Sequence, residues 1–178
     1  IRLSLVGSEM CIRDRADTFK MEGPDDVMGA IRRECRGLIF APNGTLMSRP
    51  FHKFFNVNEK DETQITALDM SQPHVIMEKM DGSMIRPIFM NGRLRLATKM
   101  GVTDIAIEAE ELLSYNQAEW LEDAFKNGVT PILEYIAPTN KIVIEYAEPK
   151  LVLLALRSNL TGDYWLPHQS PFEVVQQY

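Results

Sequence analysis

The sequence predicts an α+β fold, mainly antiparallel β-sheets with an inserted helical block. Three observations carry that expectation. Residues 37–48 and 84–99 each read as two apolar runs around a turn pair, Asn43-Gly44 and Asn91-Gly92. From Asp104 the apolar period becomes helical, and after Thr130 the strand pattern returns.

Each element has a local reason. Pro87 falls inside the second hairpin and is expected on an edge or at a bulge, because it cannot donate to a ladder. Ile105, Ala109, Leu112 and Leu113 form a helical stripe. Asn116 followed by Glu119 suits a capping box opening a second helix, with Trp120, Leu121, Ala124 and Phe125 on its buried face and Gly128 as its stop. "PILEYI", "KIVIEY" and "LVLLALR" then read as strands separated by Pro-Thr-Asn and Glu-Pro turns, and "NLTGDYW" as a further hairpin.

With 178 residues, 45% of them hydrophobic and 25% charged, the chain suits one domain with a real core. No apolar run approaches the length that spans a bilayer, so no membrane partner is expected. A net charge of −6 argues against a nonspecific coat on nucleic acid, but leaves room for a local basic groove. Cys11 and Cys35 offer no disulfide framework, which fits a reducing, cytoplasmic setting. "VGSEMCIRDR" resembles the translation of a transposase adapter used in sequencing-library preparation. Residues 1–15 are therefore set aside as read-through, and residues 16–178 are treated as the domain.

The chemistry centres on "MEKMDGSMI". Alternation puts Val75, Met77 and Lys79 on one face, where an ammonium group is costly unless paired or functional. Glu134 likewise shares its face with Ile132 and Ile136. Two ionisable groups on apolar faces make a site hypothesis. A plain hairpin turn at Asp81-Gly82 is the alternative.

"EKMDGS" resembles the KxDG motif of ATP-dependent ligases and capping enzymes. "RECRGLIF" from Arg33, "SRPFHKFFNVNE" from Ser48 and "EYIAPTNKIVIEY" from Glu134 resemble, in order, the phage RNA ligase 1 family of tRNA-repair enzymes, with "LRLATKMG" a looser match. The resemblance implies the covalent nucleotidyltransferase fold. It also implies ATP and Mg²⁺ as cofactors, and RNA with 5′-phosphate and 3′-hydroxyl ends, tRNA in particular, as partner. It makes Lys79 the nucleophile that takes AMP from ATP. Arg36 and Lys53 would lie along the triphosphate, Phe55 would belong to the nucleotide pocket, and Lys99 and Glu134 would complete the site. Phe54 and Phe55 should face opposite ways, so only one of them enters it.

An amine nucleophile must shed its proton, so partial burial and neighbouring cations are expected around Lys79. Asp81 would favour the ammonium form; its implied role is through Mg²⁺ or in shaping the turn. Gly82 would let backbone approach the nucleotide closely. No metal-ligand set is read from the histidines. The family's later acidic and Lys-x-Lys motifs have no match before Tyr178, so a domain incomplete at both ends is expected. DNA ligase and capping enzyme are sister readings. A non-catalytic nucleotide- or RNA-end-binding domain and a β-rich structural domain are the competing classes. A phage origin would place the protein in the cytoplasm of an infected bacterium.

Overall fold

The computed structural model describes residues 2–6, 9–13, 26–166 and 170–177. In chain order these form β1 (Arg2–Val6), β2 (Glu9–Arg13), α1 (Val27–Glu34), β3 (Ile39–Phe40), β4 (Leu46–Ser48), β5 (Ser83–Met90), β6 (Arg93–Ala97), α2 (Asp104–Glu110), α3 (Tyr115–Lys126), β7 (Val129–Ile136), β8 (Lys150–Ser158), β9 (Tyr164–Trp165) and β10 (Glu173–Val174). One sheet runs β1-β2-β3-β4. The other runs β10-β8-β7-β5-β6, with β9 added to β8. All pairings are antiparallel except β10 with β8. Of the residues set aside from the sequence, 2–6 and 9–13 pair as a hairpin that continues onto β3, and residues 1, 7–8 and 14–15 lie outside the described set.

The turn chemistry is as the sequence reads. Gly44, Asn91 and Gly92 take positive φ at the two predicted hairpins, and Gly128 does so after α3. The structure resolves the Pro87 expectation in a specific way. β5 is central, but it pairs with β7 only through residues 83–85 and with β6 only through 86–90. Pro87 lies on the stretch where the β7 ladder has ended, so its missing N–H breaks no bond on that side.

Helices α2 and α3 cover one face of the larger sheet. Ala106, Ala109 and Leu121 pack with Ile85, Leu96, Leu133, Tyr135, Leu151 and Leu153, and Phe125 stacks on Phe89 with centroids 4.3 Å apart.

Four local expectations need correction. Helix α3 is capped by Ser114 and Gln117 rather than Asn116 and Glu119; the Ser114 hydroxyl accepts the Gln117 N–H and the Gln117 side chain accepts the Ser114 N–H. α1 was not anticipated; Asp26 caps it by accepting the Met28 and Gly29 N–H groups. "KIVIEY" is not a strand. The Val143 and Ile144 N–H groups donate to the Asp81 carboxylate instead of a ladder, and Ile142, Val143 and Ile144 stay exposed. Residues 75–80 make a single bridge, Met77 with Gln177, and residues 75–79 stay exposed, so their alternation does not generate a buried face.

Candidate active site

A cavity of about 780 Å³ opens where the end of the Lys79 segment meets β5, β7 and the turn after β6. Arg36, Glu78, Lys79, Lys99 and Glu134 supply its charged groups. Phe51, Phe54, Met77, Met80, Met84, Met100, Ile105 and Leu154 supply its apolar wall. A wide apolar chamber with a few convergent charges is the usual form of a small-molecule site.

Each charged group arrives by a different route. Arg36 follows α1 in the turn that Gly37 closes at φ +71°, with its guanidinium 5.8 Å from the Phe54 ring. Lys99 has left β6 and sits in a tight turn. There the Thr98 hydroxyl accepts the Met100 N–H and donates to the Gly101 carbonyl, and Gly101 takes φ +102°. Lys99 therefore no longer shares a strand face with Arg93 and Arg95, and Arg95 pairs with Glu110 at 2.8 Å. Lys79 itself is exposed, not sunk among apolar side chains as expected, because the 75–80 segment is held by few ladder bonds.

Glu134 lies on β7 between Ile132 and Ile136, both buried, on the face the alternation predicts. Before it, between Ile132 and Leu133, the β7–β8 register shifts and leaves Leu154 as the extra residue on β8, which lines the cavity. The Glu134 carboxylate accepts the Gly82 N–H at 3.1 Å. Burial pushes this carboxyl up to about 7, against the opposing pull of the Gly82 bond and of the Lys79 charge.

Gly82 is fixed by packing. A Cβ built there would overlap the Tyr135 carbonyl oxygen and stand 3.0 Å from Ile136 Cγ2, so close approach of β5 to β7 excludes any other residue. The sequence anticipated close approach to a nucleotide; the observed neighbour is the adjoining strand. Asp81 does not line the cavity. Its Oδ2 accepts the Val143 and Ile144 N–H groups at 2.6 and 2.7 Å, its own N–H donates to the Tyr146 hydroxyl at 3.1 Å, and those two amide bonds hold its carboxyl below the ordinary range.

Lys53 and Phe55 also lie outside the cavity lining. The Lys53 ammonium stands 4.8 Å from the Phe55 centroid, with Arg33 at 5.0 Å and Lys60 at 5.3 Å. Phe54, not Phe55, faces the chamber. The structure thus gathers Lys79, Arg36, Lys99, Gly82 and Glu134, and leaves Lys53, Phe55 and Asp81 around them. The sequence could not reveal the methionine wall or Val175, which reaches the cavity because residues 173–177 lie between β8 and the Lys79 segment. Glu78, adjacent to the motif lysine, and Phe54, read as the alternative to Phe55, carried the hints.

Behind the site Glu34 joins two arginines. Arg49 Nε donates to it at 2.8 Å and Arg157 Nη2 at 2.9 Å, while Arg157 is 2% exposed. Burial raises the Glu34 carboxyl, and the bonds from Arg157 and Arg49 outweigh it, so the net displacement is downward.

The fold is one that solved ligases share. The chain superposes on the solved structure of an archaeal ATP-dependent RNA ligase (form 2) with a TM-score of 0.57 at 16% identity, over 80% of this chain and 40% of that one. The family model of the T4 RNA ligase 1 type, described as RNA ligase, matches residues 34–178, and the chain belongs to that family. A Thermovibrio ammonificans protein carrying an RNA ligase designation is 36% identical over 89% of this chain and 42% of its own length. RNA ligase 1 of bacteriophage TS2126 is 32% identical over 76% of this chain and 37% of its own length. The chain therefore spans about two fifths of the length of these relatives.

Proposed function

We propose that this domain performs the adenylylation chemistry of an ATP-dependent RNA ligase, with Lys79 as nucleophile. The observation that carries the reading is the convergence of Lys79, Arg36, Lys99 and Glu134 on one apolar chamber in a chain of the RNA ligase family. The Lys79 amine attacks the α-phosphorus of ATP, the bond to the bridging oxygen of the β-phosphate breaks, and pyrophosphate leaves. The amine proton needs an acceptor, and Glu134, with its carboxyl near neutrality, is suited to hold it. Arg36 and Lys99 supply fixed positive charge for the departing phosphates. A 5′-phosphate oxygen of RNA then attacks the lysyl-bound adenylate, and the P–N bond breaks. The 3′-hydroxyl of another RNA end displaces AMP from the activated 5′-phosphate.

Mg²⁺ fits this chamber as a companion of the nucleotide. It binds through one or two carboxylates and phosphate oxygens, so it needs no prebuilt cage. Among the described residues no group of three acidic or histidine ligands is assembled, and Glu78 is the cavity carboxylate left for it beside Glu134. Bound there, it would neutralise phosphate charge. Repair of tRNA ends is the setting the sequence resemblance implies.

Incubation with ATP labelled at the α- or the γ-phosphate tests the reaction. Label retained on the denatured protein from α-labelled ATP only is the expected result. Retention from neither, beside ATP-dependent thermal stabilisation, would refute catalysis and favour a nucleotide-binding domain.

A further inference from the structure

Two residues along β5 from the cavity wall lies a buried guanidinium that the adenylylation chemistry does not use. Arg86 is 0% exposed. Alternation sets Met84, Arg86 and Ile88 on one face of β5. Met84 lines the cavity and Ile88 packs with Ile39 and Ala97, so Arg86 puts a charge in the middle of an apolar row. A charge in such a place is costly unless specific bonds hold it. Its Nη2 donates to the Gly37 carbonyl at 2.6 Å.

That bond falls beside Arg36, and the body of the protein grips the chain on both sides of this arginine. Before it, the Arg33 carbonyl accepts the Lys53 N–H at 2.8 Å, and the Glu34 carboxylate accepts from Arg49 and Arg157. After it, Gly37 turns the chain at φ +71° and Arg86 holds its carbonyl. The fit is close. A Cβ at Gly37 would stand 3.6 and 3.7 Å from the two terminal nitrogens of Arg86 and 3.4 Å from Pro50 Cγ, so the guanidinium lies against the Gly37 backbone itself. An apolar side chain at position 86 could fill the space but could not donate to the carbonyl; a planar, permanently charged fork does both.

We infer that Arg86 is a positioning residue: by holding the Gly37 carbonyl it fixes the turn that aims Arg36 into the chamber, where Arg36 meets the outer phosphates of the nucleotide. The inference rests on the reading of that chamber as the nucleotide site, with Arg36 as a phosphate partner. Arg86 does not line the cavity, so it acts through Arg36 and not on the ligand. Without its bond the turn keeps its anchors on the α1 side only, and the Arg36 charge spreads over a wider range of positions. The nucleoside end of the ligand does not depend on Arg36 and is bound as before.

The test is isothermal titration calorimetry with α,β-methylene-ATP, whose α–β bridge cannot break, beside AMP, which lacks the outer phosphates. Arg86→Met replaces the guanidinium by an apolar chain, a change that buried charged sites tolerate in folding. It is expected to weaken the analogue about tenfold and to leave AMP affinity within about twofold of wild type. Arg36→Ala should show the same split. The double variant should bind the analogue no more weakly than Arg36→Ala alone, because one residue acts through the other. Circular dichroism establishes that each variant is folded. Should Arg86→Met not fold, Arg86→Lys keeps the charge with a shorter reach and carries the same comparison, with an expected loss of about threefold. Equal losses for analogue and AMP, no loss for either, or a loss that persists in the Arg36→Ala background would each overturn the inference. The two readings fail separately. Analogue affinity that depends on Arg86, without a lysyl-adenylate, would refute the ligase chemistry alone. Self-adenylylation with analogue affinity untouched by Arg86→Met would refute the positioning role alone.

Discussion

Replacing Glu134 by glutamine keeps an oxygen to accept the Gly82 N–H and removes a negative charge from a half-buried position facing Lys79. The carboxyl stands at about 7 in the folded chain against an ordinary 4.5, so the folded state holds this proton more tightly than the unfolded state. A raised acid contributes stability below its ordinary value and loses it as the pH climbs through the folded one. From pH 4.5 to 7 wild type should therefore lose about 3 kcal/mol relative to Glu134→Gln. The gap should be about 1 kcal/mol at pH 5 and about 3 kcal/mol at pH 8, with the variant the more stable protein. For a chain of this size that corresponds to a melting temperature about 6–12 °C higher at pH 8. Thermal unfolding at pH 5 and pH 8 measures it. A difference that does not grow with pH, or a wild type that is more stable at pH 8, would refute the burial argument. The same variant should adenylylate itself more slowly, since the proton acceptor is gone, so stability and activity are expected to move in opposite directions.

Three further outcomes follow from the surroundings of the site. Gly82→Ala forces the β5 and β7 backbones apart at the Tyr135 carbonyl; it should cost about 3 kcal/mol in urea unfolding and abolish self-adenylylation. Glu34→Ala leaves the buried Arg157 without its carboxylate and should cost about 2–3 kcal/mol, below the figure for a fully buried pair because Glu34 is 32% exposed. Because the Glu34 carboxyl is displaced downward, that contribution is present at neutral pH and lost as the pH falls through the folded value, so the wild-type advantage should shrink under acid unfolding. Asp81→Ala frees the Val143 and Ile144 amides, and trypsin should then cut after Lys141 faster than in wild type.

Much of this architecture is written locally. The Asn91-Gly92 turn, the Gly128 stop and the stripe through Ala109 and Leu121 need only neighbours in sequence to be read. What was not legible depends on partners far along the chain. Residues 75–80 look like a strand by alternation, but their ladder partner is the short stretch near Gln176 and Gln177, so residues 75–79 remain exposed. "KIVIEY" has strand composition, but a carboxylate sixty residues earlier takes two of its amides. Phe54 and Phe55 part company as expected, although residues 51–56 form no strand, and the sequence could not say which ring meets the cavity. That depends on where Arg33, Lys53 and Lys60 gather, around Phe55. Glu134 was legible because it put a charge in an apolar pattern that β7 keeps, whereas Lys79 was legible from its motif, since the apolar face read around it does not form; both line one chamber.

The most direct measurement is the intact mass of the protein after incubation with ATP and Mg²⁺, beside Lys79→Ala treated alike. The account predicts one added adenylate on the wild type, mapped by peptide sequencing to Lys79, and none on the variant. An adduct that persists in Lys79→Ala, or a wild type that gains no mass while binding ATP, would contradict it.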